Sequence, residues 1–201
     1  MNIGIPKERM GGEDRVGLTP AGVGLLTRAG HSCYLESGAG SAAGFDDYDY
    51  ERNGATIVTE AEALYAKSDL ILKVLRPISE EIAWMHPGQI VMGFLGLMAA
   101  PKAELEALVA QKTTLVAYEM ITPDGVDYPI LKTMSEVTGR MAPYIAGTLL
   151  MRSNGGRGVL LNGVPGISAG EVLILGAGTL GVNAARAFLG LGAKVFLLSR
   201  S

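Results

Sequence analysis

The sequence predicts an α/β protein of two Rossmann-like parallel-sheet domains, the second incomplete. Three observations carry that expectation. Short β-rich runs alternate with amphipathic stretches from residue 1 onward, the pattern of a parallel sheet covered by helices. Near the end, the apolar run Val172 to Leu175 breaks into Gly176-Ala-Gly-Thr-Leu-Gly181 and resumes as a helix-forming segment. The chain then stops after a single βαβ unit of this second domain, so it reads as C-terminally truncated, because a doubly wound domain needs further strands.

In chain order, Asn2 to Ile5, Ser32 to Glu36, Thr56 to Val58, Leu70 to Val74, Ile90 to Leu95 and Thr114 to Tyr118 read as strands of the first domain, since each is a short β-branched or apolar run bounded by turn residues. Thr19-Pro20 caps a helix that runs to Ala29 and stops at Gly30. Pro101 opens another helix with Leu105, Leu108 and Val109 at core spacing. Pro123-Asp-Gly-Val is a turn. A long helix is expected from about Ser135 to Arg152, with Ser135 as its N-cap and Met141, Ile145 and Leu149 on its buried face. Pro143 lies inside it, where a proline removes a backbone bond. Asn154-Gly-Gly-Arg-Gly158 and Asn162-Gly-Val-Pro-Gly166 form a connection to Val172–Leu175, Thr179–Leu191 and Lys194–Leu198, a strand, helix and strand. The expected domains are residues 1–133 and 134–201.

The glycine turn points to a dinucleotide. Gly176 permits the tight strand-to-helix turn, Gly178 lets a pyrophosphate approach the backbone, and Gly181 lets the helix pack on the strand. The helix start at Thr179 and Leu180 offers N–H donors to the anion. An acid about 20 residues further on would favour NAD. Here Ser199 and Arg200 occupy that point, a small hydroxyl and a guanidinium that could pair with a 2′-phosphate, which leaves NADP open; the alternative is that Arg200 is simply solvated.

Composition limits the other classes. A formal net charge of −3 gives no electrostatic reason to expect nucleic acid. The most apolar run, Ile90 to Ala100, is shorter than the ~20 residues that span a bilayer, so no membrane segment is expected. The single cysteine, Cys33, excludes an internal disulfide and suits a reducing cytoplasm. No metal-ligand spacing appears, and no structural metal is expected. The first six strand-like runs also hold one cation in an apolar stretch, Lys73 of Leu70-Ile-Leu-Lys-Val-Leu75. It either snorkels from an edge or is desolvated beside other cations, a setting that lowers a lysine pKa for acid–base work.

Ile3-Gly-Ile-Pro-Lys-Glu8, Arg15-Val-Gly-Leu-Thr-Pro20, Glu36-Ser-Gly-Ala-Gly40, Leu72-Lys-Val74, Ser135-Glu-Val-Thr-Gly-Arg140, Gly155-Gly-Arg-Gly-Val-Leu160, Gly163-Val-Pro-Gly166 and Gly176 to Gly181 occur in this order along almost the whole chain. In these motifs the chain resembles the alanine dehydrogenase and pyridine nucleotide transhydrogenase alpha-subunit family, more closely its alanine dehydrogenase branch. The resemblance implies a substrate domain followed by an NAD domain and a cytoplasmic homo-oligomer. The implied reaction is reversible oxidative deamination of L-alanine to pyruvate and ammonia. It implies that Lys73 and Arg15 are catalytic and hold the substrate, and that Ser135 and the glycine turn hold the cofactor, with Ser199 at the ribose. Other readings are a transhydrogenase subunit, or a catalytically impaired nucleotide-binding relative. The third is suggested by Phe94-Leu-Gly-Leu-Met98: Gly96 stands where the alanine dehydrogenase branch carries a proton-transferring histidine. His31 and His86 lie beside turns and read as structural or surface residues.

Overall fold

In the computed structural model, which describes residues 1–200, the chain forms two compact units, Met1–Ile121 and a second that starts at Thr122. The first unit holds strands β1 (Asn2–Ile5), β2 (Ser32–Glu36), β3 (Ala55–Val58), β4 (Leu70–Leu75), β5 (Ile90–Phe94) and β6 (Thr114–Ala117). Between them lie α1 (Pro20–Arg28), α2 (Asp47–Arg52), α3 (Ala61–Lys67), α4 (Ser79–Trp84) and α5 (Lys102–Ala110). The strand order is β3-β2-β1-β4-β5-β6, and each pairing is parallel. This is the doubly wound order, in which the direction of winding reverses between β1 and β4.

Side chains alternate across the sheet and feed two cores. Ile3, Ile5, Leu35 and Leu72 pack with Val23 and Tyr50 on one face. Ile71, Val91, Leu64, Tyr65 and Ile82 pack on the other. Neighbours Ile71 and Leu72 therefore serve opposite faces, as a strand covered on both sides requires. Gly4 faces α3 at such short range that an added Cβ would meet Ser68 Oγ and the Leu64 and Ile71 side chains.

The second unit contains α6 (Pro129–Leu150), β7 (Glu171–Leu175), α7 (Thr179–Gly190) and β8 (Lys194–Leu198), with β7 and β8 paired in parallel. Helix α7 packs on α6 through Gly139, where a Cβ would meet the Leu180 carbonyl oxygen. Ala184, Phe188 and Ala193 form its core with Ala142, Ala146, Val172 and Ile174 against them.

Several expectations need correction. Helix α6 starts at Pro129, so Ser135 lies inside it and is not its N-cap; a proline in the first helical turn costs nothing because its missing N–H has no partner there. The helix stays within the second unit, and the expected boundary between 133 and 134 falls inside it. Met141, Ile145 and Leu149 are 50%, 53% and 63% exposed. The packed face is built from Gly139, Ala142, Pro143 and Ala146 instead, because small residues let two helix backbones approach. Val109 also faces outward while Leu108 is buried, and β6 ends at Ala117, before Tyr118. Among the described residues no helix is long and apolar enough to cross a membrane.

Truncating the fully buried Ile71 to Ala should cost about 2–5 kcal/mol in denaturant unfolding, whereas Val109→Ala should stay within about 0.5 kcal/mol. Similar losses at the two positions would contradict this assignment of the core.

Candidate active site

The reversal of winding places the ends of β1 and β4 side by side, and at that point the first unit buries charge. Lys73, one residue pair before the end of β4, is fully buried. Its Nζ lies 2.7 Å from Glu81 Oε1 and 3.1 Å from Glu8 Oε2. Both carboxylates are fixed by backbone donors. Val74 N–H donates to Glu8 Oε1 at 2.6 Å, and Ile78 N–H at the start of α4 donates to Glu81 Oε2 at 2.9 Å. Tyr65 from α3 donates its hydroxyl to Glu81 Oε1 at 2.9 Å. Arg9 approaches the same oxygen at 3.8 Å and makes a two-pronged pair with Glu36, at 2.6 and 3.0 Å, from the end of β2. The Arg9 guanidinium also lies over the Trp84 ring, 5.2 Å from its centre.

Desolvation is the leading influence on Glu8 and Tyr65. It pushes the Glu8 carboxyl above its ordinary value, against the opposing pull of Lys73 and the Val74 N–H. It also pushes the Tyr65 phenol well above its ordinary value, aided by Glu81, so Tyr65 is a donor and not a base. The sequence leaves Lys73 either snorkelling from an edge or desolvated beside other cations. The structure gives it two carboxylates instead, because a fully buried ammonium needs a counter-charge.

The loop after β1 and the turn after β2 enclose a cavity of about 360 Å³, lined among others by Glu8, Arg9, Glu13, Arg15, Gly38 and Ser41. It opens at the carboxyl ends of the strands, where open α/β sheets bind ligands. Arg15 donates from Nε and Nη2 to the two oxygens of Glu13, at 2.8 and 2.7 Å, and is half exposed. That bond holds the Glu13 carboxyl below its ordinary value. Lys73 does not line this cavity; its partner Glu8 does. Beyond β5, Gly96 has φ +52°, and no atom lies within 4 Å of where its Cβ would be. Its N–H donates to Glu119 Oε1 at 2.7 Å, so Glu119 serves as a loop clamp.

In the second unit, Gly176 has φ +109° and Gly178 is the N-cap of α7 without a side-chain cap. Space is open around the Cβ positions of both. A Cβ on Gly181 would strike the Gly176 carbonyl oxygen, so this glycine is needed for close packing. Tyr128, Lys132, Ser135, Gly178, Thr179 and Leu180 line a cavity of about 430 Å³ at the helix start. An uncapped helix N-terminus with no side chains over it fits a dinucleotide pyrophosphate. Ser199, past β8, is exposed and donates its hydroxyl to the Arg200 carbonyl at 3.1 Å.

The named residues thus fall into separate groups. Arg15 lines the first cavity, Lys73 lies buried against its wall, and Ser135, Gly178, Thr179 and Leu180 share the second cavity, with Gly176 and Gly181 forming the turn beside it. Glu8, Arg9, Glu36, Tyr65 and Glu81 were not singled out from the sequence. Glu8 could have been, since it follows β1, which borders the winding reversal, and Glu36 ends the neighbouring strand β2. Glu81 carries only a local signal, a carboxylate at the third position of a helix.

Comparison with known proteins matches residues 4–138 to the family described as "Alanine dehydrogenase/PNT, N-terminal domain" and residues 142–201 to its "C-terminal domain". Alanine dehydrogenase of Mycobacterium tuberculosis (strain CDC 1551 / Oshkosh) is 47% identical over 199 residues, 98% of this chain and 53% of that protein. That of Geobacillus stearothermophilus is 42% identical over 198 residues, with the same coverage. Among solved structures, an L-alanine dehydrogenase gives a TM-score of 0.88 at 40% identity, covering 98% of this chain and 54% of its own. A transhydrogenase from Sinorhizobium meliloti gives 0.79 at 25% identity, covering 100% and 57%. The chain spans about half the length of the curated relatives it matches.

Lys73→Ala should destabilise the first unit by about 3–5 kcal/mol at neutral pH, because it strands Glu8 and Glu81 in the interior. Without the lysine Glu8 loses a charge that opposes its desolvation, so the deficit should shrink as pH falls and Glu8 takes up a proton. Unfolding curves at several pH values measure this; a deficit independent of pH would contradict it.

Proposed function

The chain belongs to the alanine dehydrogenase/PNT family, and from that premise we propose that it supplies the substrate domain and the first part of the nucleotide domain of an NAD(P)-dependent amino-acid dehydrogenase. The reaction is the reversible oxidative deamination of L-alanine to pyruvate and ammonia. The observation that carries the proposal is the glycine turn of the second unit, open above Gly176 and Gly178 at the uncapped start of α7, in a chain 40–47% identical to alanine dehydrogenases over nearly its whole length.

Gly176, Gly178 and Gly181 form the turn, and the backbone at Thr179 and Leu180 offers donors to the pyrophosphate, with Ser135 beside it. When bound, the nicotinamide supplies the hydride acceptor for the substrate α-carbon. Ser199 stands at the ribose position with no acid beside it, and Arg200 follows, which extends the proposal to NADP as an alternative coenzyme.

Arg15 holds the substrate carboxylate once it gives up Glu13, since its donor fork matches a carboxylate in two places. Lys73 holds the carbonyl or amino end. Because Glu8 lines the cavity and Lys73 does not, a substrate atom reaching Lys73 comes against the Glu8 carboxylate as well. Fixing both ends of the substrate orients its α-carbon. Family membership further supports a homo-oligomer in the cytoplasm.

NADH and NADPH should each be titrated into the protein, followed by pyruvate and ammonium. Saturable binding and coenzyme oxidation are expected. Gly178→Leu should weaken coenzyme binding at least about tenfold, roughly 1.4 kcal/mol, without changing the unfolding midpoint of the first unit. No binding of either coenzyme to folded protein would overturn the proposal. Binding with hydride passing only to a second nucleotide would favour the transhydrogenase reading.

A further inference from the structure

The proposed reaction needs a group that moves protons, and Gly96 cannot supply one. The buried cluster contains a candidate. Its ionisable members are two cations, Lys73 and Arg9, and three carboxylates, Glu8, Glu36 and Glu81. Fully ionised, the set carries one excess negative charge in a desolvated place, so one proton makes it neutral. The three carboxylates are not equivalent. Glu36 is clamped by both arms of Arg9 and by Lys7 N–H at 2.9 Å. Glu81 is buried away from the cavity and receives Lys73, Tyr65 and Ile78. Glu8 is the member that lines the cavity. Its Oε1 is held by Val74 N–H, while its Oε2 makes no hydrogen bond of good geometry and has only the ion pair with Lys73 at 3.1 Å. One carboxylate oxygen is thus anchored, and the other lies buried without a hydrogen bond, with Lys73 as its ion-pair partner.

We infer that Glu8 is the general acid–base of this active site, exchanging its proton with the reacting atoms of the substrate held between Arg15 and Lys73. The inference rests on the reading under Proposed function. In the direction of deamination, oxidation leaves a protonated imino acid. Water attacks the imine carbon; as its oxygen bonds to carbon, the Glu8 carboxylate takes one of its protons and the C=N π pair moves to nitrogen. Protonated Glu8 then gives that proton to the nitrogen. In the last step Glu8 takes the hydroxyl proton, the C=O bond forms, and the C–N pair leaves with ammonia. Amination runs the same steps backwards. Lys73, 3.1 Å from Glu8 Oε2, stabilises its ionised form.

The charged and titratable groups around Glu8 are Lys73 on β4, Glu81 on α4, Arg15 in its own loop, Tyr65 on α3, and Tyr118 after β6. Burial outweighs the cations here and raises the Glu8 carboxyl above its ordinary value. Deamination requires Glu8 ionised, so its rate should rise with pH through that raised value. Amination requires Glu8 protonated, so its rate should fall through the same value.

The test compares wild type with Glu8→Gln and Glu8→Asp in both reaction directions across pH, with NADH binding as the control for folding. Glu8→Gln should lose on the order of 100-fold or more in kcat, keep its NADH affinity, and lose the pH limb. Glu8→Asp should restore part of the rate and the limb. A Gln variant with wild-type kcat and pH profile would overturn the inference. If the wild type itself binds NADH without turnover, it is the proposed reaction that fails. The Glu8 assignment is then decided by carbon-13 NMR of labelled glutamate: a carboxyl resonance lost in Glu8→Gln, titrating above the ordinary carboxylate value and shifting with added pyruvate, supports it. A Glu8 signal with an ordinary pKa or indifferent to pyruvate overturns it.

Discussion

A fully buried ammonium held between two carboxylates, Glu8 and Glu81, is the constraint around which the first unit is organised. An unpaired charge in that position would cost several kcal/mol, so the elements that carry its partners must be placed together. β1 delivers Glu8 and Arg9, α4 delivers Glu81, and α3 delivers the Tyr65 hydroxyl. Backbone donors at Val74 and Ile78 fix the two carboxylates. The cluster is thus a condition for folding, and substitutions within it disturb the fold as well as the chemistry proposed for it. Burial of such a pair brings little net stability compared with apolar packing, which makes a functional reason for its presence the stronger one.

Topology explains why the cluster faces a cavity. In the order β3-β2-β1-β4-β5-β6, the chain winds away in opposite directions from the junction of β1 and β4. The loops leaving these strands diverge there, and the gap is closed by residues 7–15 and the turn at Gly38. Buried charge lies on one side of that gap and the Arg15 fork on the other, the polarity the proposed function uses for a small zwitterion or oxo acid. The second unit presents a different feature: bare backbone at the start of α7, which in the proposed function meets phosphate without any charged side chain.

Much of the architecture was legible in the sequence because local pattern determines it. The strand runs at Asn2–Ile5, Ser32–Glu36 and Lys194–Leu198 are found where their apolar alternation put them. Gly176 to Gly181 form the expected turn, since Gly176 has φ +109° and a Cβ on Gly181 would strike the Gly176 carbonyl oxygen. Legibility failed where the outcome depends on what packs against a segment. Apolar residues at helical spacing in α6 predicted a buried face at Met141, Ile145 and Leu149, but close approach of α7 selected the small-residue face instead. The start of α6 was missed because Pro129 at a first turn resembles a breaker. At the site, a lone lysine in a strand was visible, yet its partners Glu8 and Glu81 are 65 positions before and 8 after it, and only the fold brings them together.

The account depends on the cavity at the β1–β4 junction being the place where a 2-oxo acid binds, with Glu8 and Arg15 at its wall. Titrating pyruvate into isotope-labelled protein and following backbone and side-chain NMR signals tests this directly. The account predicts that the largest shifts fall on Glu8, on the Arg15 guanidinium as it leaves Glu13, and on the loop of residues 7–15. Saturable pyruvate binding with those signals unmoved, or shifts confined to the second unit, would contradict it.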